Sequence, residues 1–259
     1  MPGPRSLAYS IYERRLLAHL DHARLPRHIG IILDGHRRYA RESGLPSYTD
    51  SYRAGMARFN DFLDWSHELG VPVVTAWVLS RENLVRPESE LNPYFEVLGE
   101  FFGELAQKAQ ARGERLRFIG SLDLLPSELV GAAKRAEDAL SDGDASRTLN
   151  IAMGYGGRQE IVDAAKDLVS RLASEGVTAE EMATHVDADS LARHMYSADV
   201  PDPDLLIRTS GESRLSGFLL WQSAYAEFVF VDVYWPAFRR VDFLRALRDF
   251  TGRSRRFGR

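Results

Sequence analysis

Short apolar runs alternate along the chain with longer segments in which apolar side chains recur every three or four residues. Residues 28–34 and 71–80 are apolar runs that end in polar residues, which is typical of buried strands. Between them, residues 54–70 carry apolar side chains at helical spacing and end on a glycine. We therefore predict a strand, a helix and a second strand in this part of the chain.

The same alternation continues beyond residue 80. Asn92 followed by Pro93 predicts the start of a helix that runs to Gly113. Further strands are predicted at residues 115–120, 148–155, 205–207 and 228–231, and further helices at residues 126–140, between Gly157 and Gly176, and at 241–250. Such alternation predicts an α/β fold with a central, mostly parallel sheet that helices cover on both faces.

Two terminal segments add to this pattern. Within residues 1–25, Tyr9, Tyr12, Leu16 and Leu20 recur at spacings of 3, 4 and 4, which predicts an amphipathic helix. We expect it to dock on its own domain, with a membrane or a partner protein as the alternative. Residues 239–259 contain eight arginines and two acidic residues, which indicates a solvated or dimer-bridging tail or a phosphate contact across a dimer. No repeat or linker divides residues 1–259, so we expect a single domain.

Composition limits the classes of partner. The 259 residues include 33 basic and 37 acidic side chains, a formal net charge of −4, so no overall charge attracts nucleic acid and membrane contact is at most peripheral. Apolar stretches are shorter than the ~20 residues of a membrane span. The absence of cysteine excludes disulfides and thiolate sites, and it favours a cytoplasmic location.

In sheets of this kind ligands bind at the carboxyl ends of the strands, which directs attention to polar residues there. Residues 34–38 place a carboxylate and two arginines at the start of a helix, a pattern that suits a phosphate and a metal ion. Alone, the segment could equally be a turn with solvated arginines. Residues 207–216 add two more arginines and several hydroxyls after another strand, which indicates two phosphorylated substrates. The glycine-rich loops of kinases and dehydrogenases are absent.

Four ordered segments resemble the motifs of the cis-prenyltransferases, the Z-type polyprenyl diphosphate synthases: residues 28–35, 79–87, 155–158 and 203–227. The resemblance covers about residues 26–259 and is closest to the short-chain Z,E-farnesyl diphosphate synthases. It implies a homodimer, a parallel sheet above a hydrophobic tunnel, and Mg²⁺-dependent condensation of an allylic diphosphate with a homoallylic diphosphate.

The resemblance also implies roles for individual residues. Asp34 is expected to bind magnesium with Glu227, which could reach it across the dimer. The residues expected at the chemical step are Asp34, His36, Ser80 and Asn83. The residues expected to bind substrate are Gly35, Arg37, Arg38 and Tyr39 on the allylic side, Arg208, Arg214 and Ser216 on the homoallylic side, and Arg86 in a mobile segment with Ser80, Asn83 and Glu90.

Several positions depart from the family pattern. His36 and Tyr39 replace an asparagine and a tryptophan, and Tyr52 replaces a histidine. Others are Arg81, which could add charge to the second pocket, Leu84 and Gly154. His36 matters most, because a histidine can remove a proton at neutral pH. One interpretation is that it makes the same hydrogen bond as the asparagine; the other is altered regiochemistry.

These observations predict a transferase of prenyl groups that makes a ten- to fifteen-carbon diphosphate and releases diphosphate. Trp77, Val78 and Leu79 are expected to line the tunnel and limit chain length, although the same residues could be ordinary strand core. One alternative is irregular head-to-middle coupling of two allylic diphosphates to a lavandulyl-type branched product. Another is a catalytically silent partner subunit.

Overall fold

Six parallel strands form the sheet in the part of the chain that the computed structural model describes, residues 4–140 and 146–253. Their spatial order is β3-β4-β2-β1-β5-β6. The strands are β1 (His28–Ile32), β2 (Val73–Ser80), β3 (Glu114–Ile119), β4 (Arg147–Tyr155), β5 (Leu205–Arg208) and β6 (Glu227–Phe230). The prediction of a parallel sheet is confirmed, and all of the predicted strands are present.

Helices connect the strands. They are α1 (Pro4–Ala18), α2 (His36–Glu42), α3 (Tyr48–Glu68), α4 (Glu88–Arg112), α5 (Ser127–Asp138), α6 (Gly157–Ser174), α7 (Ala179–His185), α8 (Ala188–Ala192) and α9 (Arg240–Thr251). Short 3-10 helices at Arg81–Val85 and Trp235–Ala237 lie next to strand ends. None of the helices in the described part has the length and apolar character needed to cross a bilayer.

The predicted start of the fourth helix at Asn92 is wrong. Helix α4 begins at Glu88 after Pro87, and Pro93 lies inside it. Glu88 and Glu90 in the first turn favour this earlier start because carboxylates stabilise the positive end of a helix. The predicted end is confirmed, since Gly113 adopts φ 64°, a conformation that glycine tolerates best.

The two faces of the sheet are covered unequally. The larger apolar cluster contains side chains from α1, α3, α4, α5 and α9. The opposite face has a smaller cluster in which Trp77 stacks on Phe218, with ring centroids 5.2 Å apart. The main core therefore lies on one face, while the segment after β5 and helix α6, whose Glu160 accepts from the buried Tyr155 hydroxyl, lie on the other.

Helix α1 docks on α9, as predicted for the N-terminal segment. Leu16 and Leu20 are buried in the main core. Arg239 donates to the Tyr9 hydroxyl at 2.7 Å, and Arg245 donates to the Tyr12 hydroxyl at 3.3 Å. Two arginines of the C-terminal segment therefore hold α1 in place. Residues 254–259 of that segment lie outside the described residues.

A buried polar chain crosses the middle of the sheet. His28 Nδ1 donates to the Pro201 carbonyl at 2.6 Å, and its Nε2 lies 2.8 Å from the Thr75 hydroxyl. The amide of Asn150 also donates to that hydroxyl oxygen, at 3.1 Å. Burial lowers the pKa of His28 to about 4, so the ring is neutral at pH 7.

This depressed pKa predicts a loss of stability in acid. A histidine with an ordinary pKa of 6.5 when unfolded and about 4 when folded stabilises the fold above pH 6.5, and that contribution disappears as the pH falls toward 4. We expect the free-energy advantage of the wild type over His28→Asn to narrow by about 2–3 kcal/mol between pH 7.5 and 4.5. Urea unfolding of both proteins at the two pH values measures this difference in the free energy of unfolding. If the difference were the same at both pH values, the pKa of His28 would not change on folding.

Candidate active site

Two adjoining cavities open at the carboxyl edge of the sheet. The first, here called the sheet-edge cavity, has a volume of about 570 Å³. It is lined by Ile32, Leu33, Asp34, Trp77, Val78, Ser80, Glu82, Asn83, Arg86, Gly157, Arg158, Arg208, Ser216, Gly217 and Leu220. It thus brings together the ends of β1, β2, β4 and β5, as expected from the sequence.

The second, here called the helix-side cavity, has a volume of about 430 Å³. It is lined by Leu33, Asp34, Gly35, His36, Arg37, Arg38, Arg41, Tyr52, Val78, Asn83, Arg86, Tyr94, Glu212 and Arg214. Leu33, Asp34, Val78, Asn83 and Arg86 line both cavities. Asp34 is the only acidic side chain that these two sets share, so it lies between two spaces rich in arginine.

Asp34 is held by its neighbours. Arg208 Nη2 donates to Asp34 Oδ2 at 2.8 Å, and Arg38 Nη2 lies 3.6 Å from Oδ1. The Asp34 amide donates to the Thr209 hydroxyl at 3.0 Å, and the Asp34 carbonyl accepts from the amide of Trp235 at 2.9 Å. The backbone and the carboxylate are therefore both fixed before any ligand binds.

Charge decides the ionisation of Asp34. Partial burial acts to raise its pKa, but the hydrogen bond and the charge of Arg208, assisted by Ser210 and Arg38, outweigh burial and hold the pKa below its ordinary value. The carboxylate is therefore ionised at neutral pH and can act as an oxygen ligand or an anchor for a cation.

Gly35 makes the turn from β1 into α2 possible. Its φ is 105°, and a Cβ at this position would lie 2.7 Å from the Tyr234 ring. Glycine is therefore required on both conformational and steric grounds. The turn directs Arg37 and Arg38 into the helix-side cavity, while Tyr39, predicted to bind substrate, is not among the side chains that line either cavity.

The predicted homoallylic set is divided between the two cavities. Arg208 donates to Ser216 Oγ at 2.8 Å and to the Arg214 carbonyl, and Arg208 and Ser216 line the sheet-edge cavity. The Arg214 side chain lines the helix-side cavity instead, where it pairs with Glu212. Glu212 also accepts from Arg38 at 3.1 Å. The Arg214 side chain therefore lies toward the predicted allylic site, and its role in binding the homoallylic diphosphate stays a prediction.

His36 faces α3 and the helix-side cavity. Its Nδ1 lies 3.2 Å from the Ser51 carbonyl, and a Cβ added at Gly55 would lie 2.0 Å from its ring, so this position of the ring requires glycine. Burial lowers the pKa of His36 to about 4, which leaves the ring neutral at pH 7. Its Nε2 and the Tyr52 hydroxyl are buried without hydrogen-bond partners in the described structure. Buried polar atoms of this kind indicate a polar ligand or water in that cavity.

The segment that follows β2 lines both cavities. Ser80 Oγ accepts from the Asn83 amide at 3.1 Å and thereby caps the 3-10 helix Arg81–Val85. Asn83 and Arg86 line both cavities, and Arg86 donates to Glu90 at 3.1 Å. Arg81 donates to the Ser121 hydroxyl at 2.9 Å, beside the end of β3, and is absent from the residues that line the sheet-edge cavity. Its guanidinium group thus binds Ser121, and the expectation that it adds charge to that pocket stays a prediction.

The three predicted tunnel residues lie in different surroundings. Val78 lines both cavities, and Trp77 lines the sheet-edge cavity while its indole donates to the Tyr155 carbonyl at 3.2 Å. Leu79 is buried in the main core and is not among the lining residues, so the expectation fails for Leu79. The register between β2 and β4 shifts between Trp77 and Leu79 and again between Leu79 and Ser80, so regular alternation of the side chains is lost at this end of the strand.

Glu227 lies far from Asp34 within this chain. It begins β6 and is level with Leu205, which is level with Ile29. Asp34 follows Ile32, the end of β1, and Ile32 already lies about 10 Å further along the strand than Ile29. Glu227 instead pairs with Arg253 at 2.7 Å. Glu227 and Asp34 therefore do not meet within one subunit, and the metal site that they could share across a dimer stays a prediction.

The residues in the described structure fit a magnesium ion that arrives with its substrate. No three His, Cys, Asp or Glu side chains converge there as they would around a metal ion held by protein alone. Mg²⁺ commonly takes one or two carboxylates and completes its shell with water and substrate phosphates. Asp34, between two arginine-rich cavities, suits that arrangement.

Several residues of the site were not predicted. Glu212 bridges two arginines, Ser210 accepts from Arg38 at 2.8 Å with its hydroxyl, and Arg158 lines the sheet-edge cavity. Glu212 and Ser210 belong to the segment noted for its hydroxyls and arginines. The sequence did contain a signal for Glu212, which lies between Arg208 and Arg214. Arginines that are this close need an acidic side chain nearby to balance their charge.

Comparison with known proteins agrees with this geometry. Residues 32–258 match a family model described as "Putative undecaprenyl diphosphate synthase". The chain is 50% identical over 250 residues to a (2Z,6E)-farnesyl diphosphate synthase of Thermobifida fusca, covering 96% of each chain. It is 48% identical over 252 residues to isoprenyl transferase 1 of Corynebacterium diphtheriae, covering 97% of this chain and 94% of that protein.

A solved structure extends the comparison to three dimensions. Lavandulyl diphosphate synthase from Lavandula x intermedia, in complex with dimethylallyl diphosphate, superposes with a TM-score of 0.84 at 29% identity. The match covers 92% of this chain and 100% of that chain. The similarity therefore includes almost the whole described fold.

The Asp34–Arg208 pair predicts a stability effect separate from activity. Asp34→Ala leaves the Arg208 side chain, which is only 7% exposed, without its carboxylate partner. We expect the free energy of unfolding to fall by about 1–3 kcal/mol. The control is Glu100→Gln, which breaks an exposed pair with Arg53 and should change stability by less than about 0.5 kcal/mol. Equal stabilities of the two variants in urea unfolding would contradict this account.

Proposed function

The chain belongs to the cis-prenyltransferase family, whose members transfer prenyl groups, and we propose that it condenses a small allylic diphosphate with isopentenyl diphosphate. The product is a ten- to fifteen-carbon prenyl diphosphate, and inorganic diphosphate is released. The farnesyl diphosphate synthase relative, half identical over nearly its whole length, supports a short-chain product.

One observation carries the proposal: two arginine-lined cavities adjoin, and Asp34 is shared between them. A condensation of two diphosphates needs two anion sites close enough for carbon to meet carbon. Gly35, Arg37 and Arg38 supply donors on the helix-side cavity, where the allylic diphosphate binds. Arg208 and Ser216 supply donors on the sheet-edge cavity, where the homoallylic diphosphate binds.

The arginines also favour the chemical step. As the allylic carbon–oxygen bond breaks, negative charge accumulates on the departing diphosphate, and guanidinium groups already in place stabilise it. A magnesium ion bound to Asp34 and the phosphates would add Lewis-acid stabilisation of the same charge. Val78 and Leu33 provide an apolar wall beside Asp34 that limits the access of water to the allylic cation.

The walls of the cavity favour a short product. Each added five-carbon unit gains on the order of 4 kcal/mol from burial, so elongation continues until the space is filled. In the sheet-edge cavity, which adjoins the allylic site at Val78, Trp77 is fixed by stacking on Phe218, with ring centroids 5.2 Å apart and an interplanar angle of 8°. A rigid aromatic wall of this kind blocks extension more firmly than a flexible side chain, since overpacking costs free energy.

A second candidate function is irregular head-to-middle coupling of two allylic diphosphates. The observation that favours it is His36, whose buried Nε2 has no partner in the described structure and lies on the helix-side cavity. A neutral imidazole with an available nitrogen can accept a proton from a bound substrate. The likeness to lavandulyl diphosphate synthase agrees with this candidate, while the 50% identical relative favours regular coupling.

We also propose a homodimer. The edge strand β6 presents Phe230, which is 41% exposed, and Tyr225 just before it is 80% exposed. Large exposed apolar side chains on a sheet edge are typical of an interface. A second subunit could bring Glu227 of one chain close to Asp34 of the other.

We also propose that the enzyme depends on Mg²⁺ and is cytoplasmic. The presence of both Asp34 and Arg208 argues against the alternative of a catalytically silent partner subunit.

Catalysis is expected to depend on the charge of Asp34. Asp34→Asn keeps the shape of the side chain and removes the anion, and we expect the rate of diphosphate release to fall by at least about 100-fold. A coupled assay for inorganic diphosphate at 25 °C measures it, with Glu100→Gln as a fully active control. Turnover within threefold of the wild type would overturn the assignment of Asp34.

Product identity distinguishes the two candidates. We expect dimethylallyl or geranyl diphosphate with isopentenyl diphosphate to give linear alcohols of ten to fifteen carbons after dephosphorylation, identified by mass spectrometry. Because the pKa of His36 is only about 4, His36→Asn should leave the product linear and change the rate by less than about tenfold. Branched alcohols from two allylic diphosphates would establish irregular coupling instead.

A further inference from the structure

Arg158 lines the sheet-edge cavity. It belongs to the motif at residues 155–158, but no role was predicted for it from the sequence. It is the second residue of α6, and its side chain is exposed. In the described part of the chain it has no ion-pair or hydrogen-bond partner. Its guanidinium group is therefore available to a ligand in that cavity.

The other arginines of this cavity are already neutralised. Arg208 donates to Asp34 at 2.8 Å, and Arg86 donates to Glu90 at 3.1 Å. Each of these cations has its charge compensated by an acid before substrate arrives. Arg158 contributes positive charge that no such pair offsets, so it adds to the attraction for an anion.

The backbone at the start of α6 favours the same ligand. The helix is 18 residues long, and its N-cap residue, Gly156, provides no side chain to accept from the amides of the first turn, although the Gly157 amide donates to the Gly217 carbonyl at 2.8 Å. A Cβ at Gly157 would lie 2.5 Å from the Gly217 carbonyl, so this glycine lets the helix start abut the loop that carries Ser216. The positive end of the helix thus faces the cavity beside Arg158.

A second observation points independently to an anionic ligand. Arg208 lines the same cavity with a side chain that is only 7% exposed, and its Nε is buried without a hydrogen-bond partner in the described structure. A buried guanidinium N–H left unpaired is costly unless a ligand or water accepts from it. A diphosphate oxygen is an acceptor of suitable charge.

We propose that Arg158 and the first turn of α6 bind the diphosphate of the second, homoallylic substrate in the sheet-edge cavity. The inference rests on the proposed function for its substrate. It assigns Arg158 to the second substrate because Arg208 and Ser216 line the same cavity, whereas Gly35, Arg37 and Arg38 line the other.

Steady-state kinetics test the assignment. For Arg158→Gln we expect the KM for isopentenyl diphosphate to rise about tenfold or more, as for loss of one charge-assisted hydrogen bond, while the KM for the allylic substrate changes less than about threefold. Arg158→Lys should restore part of the affinity. Arg171→Gln, on the exposed far end of the same helix, is the matched control and should leave both KM values unchanged. An unaltered KM in Arg158→Gln would overturn the proposal.

Calorimetric titration with inorganic diphosphate and Mg²⁺ separates this proposal from the proposed function, since it needs no turnover. Weaker binding of one diphosphate to Arg158→Gln than to Arg171→Gln and the wild type supports the anion site, even if prenyl substrates are not converted. Equal binding by all three proteins overturns it, even if the wild type is an active prenyltransferase.

Discussion

The ion pair between Asp34 and Arg208 is the contact on which the site depends. It joins the ends of β1 and β5, two neighbouring strands, and so fixes the wall that separates the two cavities. Both groups are needed at once, because a largely buried guanidinium without a carboxylate is costly. The same contact keeps Asp34 ionised, which links the architecture of the sheet edge to its chemistry.

Around this pair the site is a set of arginines held by acids. Glu212 bridges Arg38 and Arg214, and Glu90 bridges Arg37 and Arg86. Such pairs keep flexible side chains near their working positions, which lowers the ordering entropy that binding would otherwise cost. A diphosphate carries enough negative charge to compete for these guanidinium groups, so the site is arranged for an anion.

The sheet and most helices could be predicted because apolar periodicity is a local property of the chain. The location of Asp34 and Arg208 at the same edge of the sheet followed from the rule that ligands bind where parallel strands end. Contacts between segments that are distant in the sequence were harder to predict. The position of Glu227 depends on where β6 begins in the sheet, and the pairing of Glu212 with Arg38 depends on how α2 and the segment after β5 meet in space. The neutral state of His36 results from its burial against Gly55, which a motif does not show.

A crystal structure with Mg²⁺, isopentenyl diphosphate and an unreactive thiolodiphosphate analogue of the allylic substrate tests the central claim most directly. We predict one diphosphate at the turn that follows β1, the other beside Arg208, and Asp34 between them with both hydrocarbon chains against Val78. Two diphosphates bound away from Asp34, or hydrocarbon chains outside both cavities, would contradict the account.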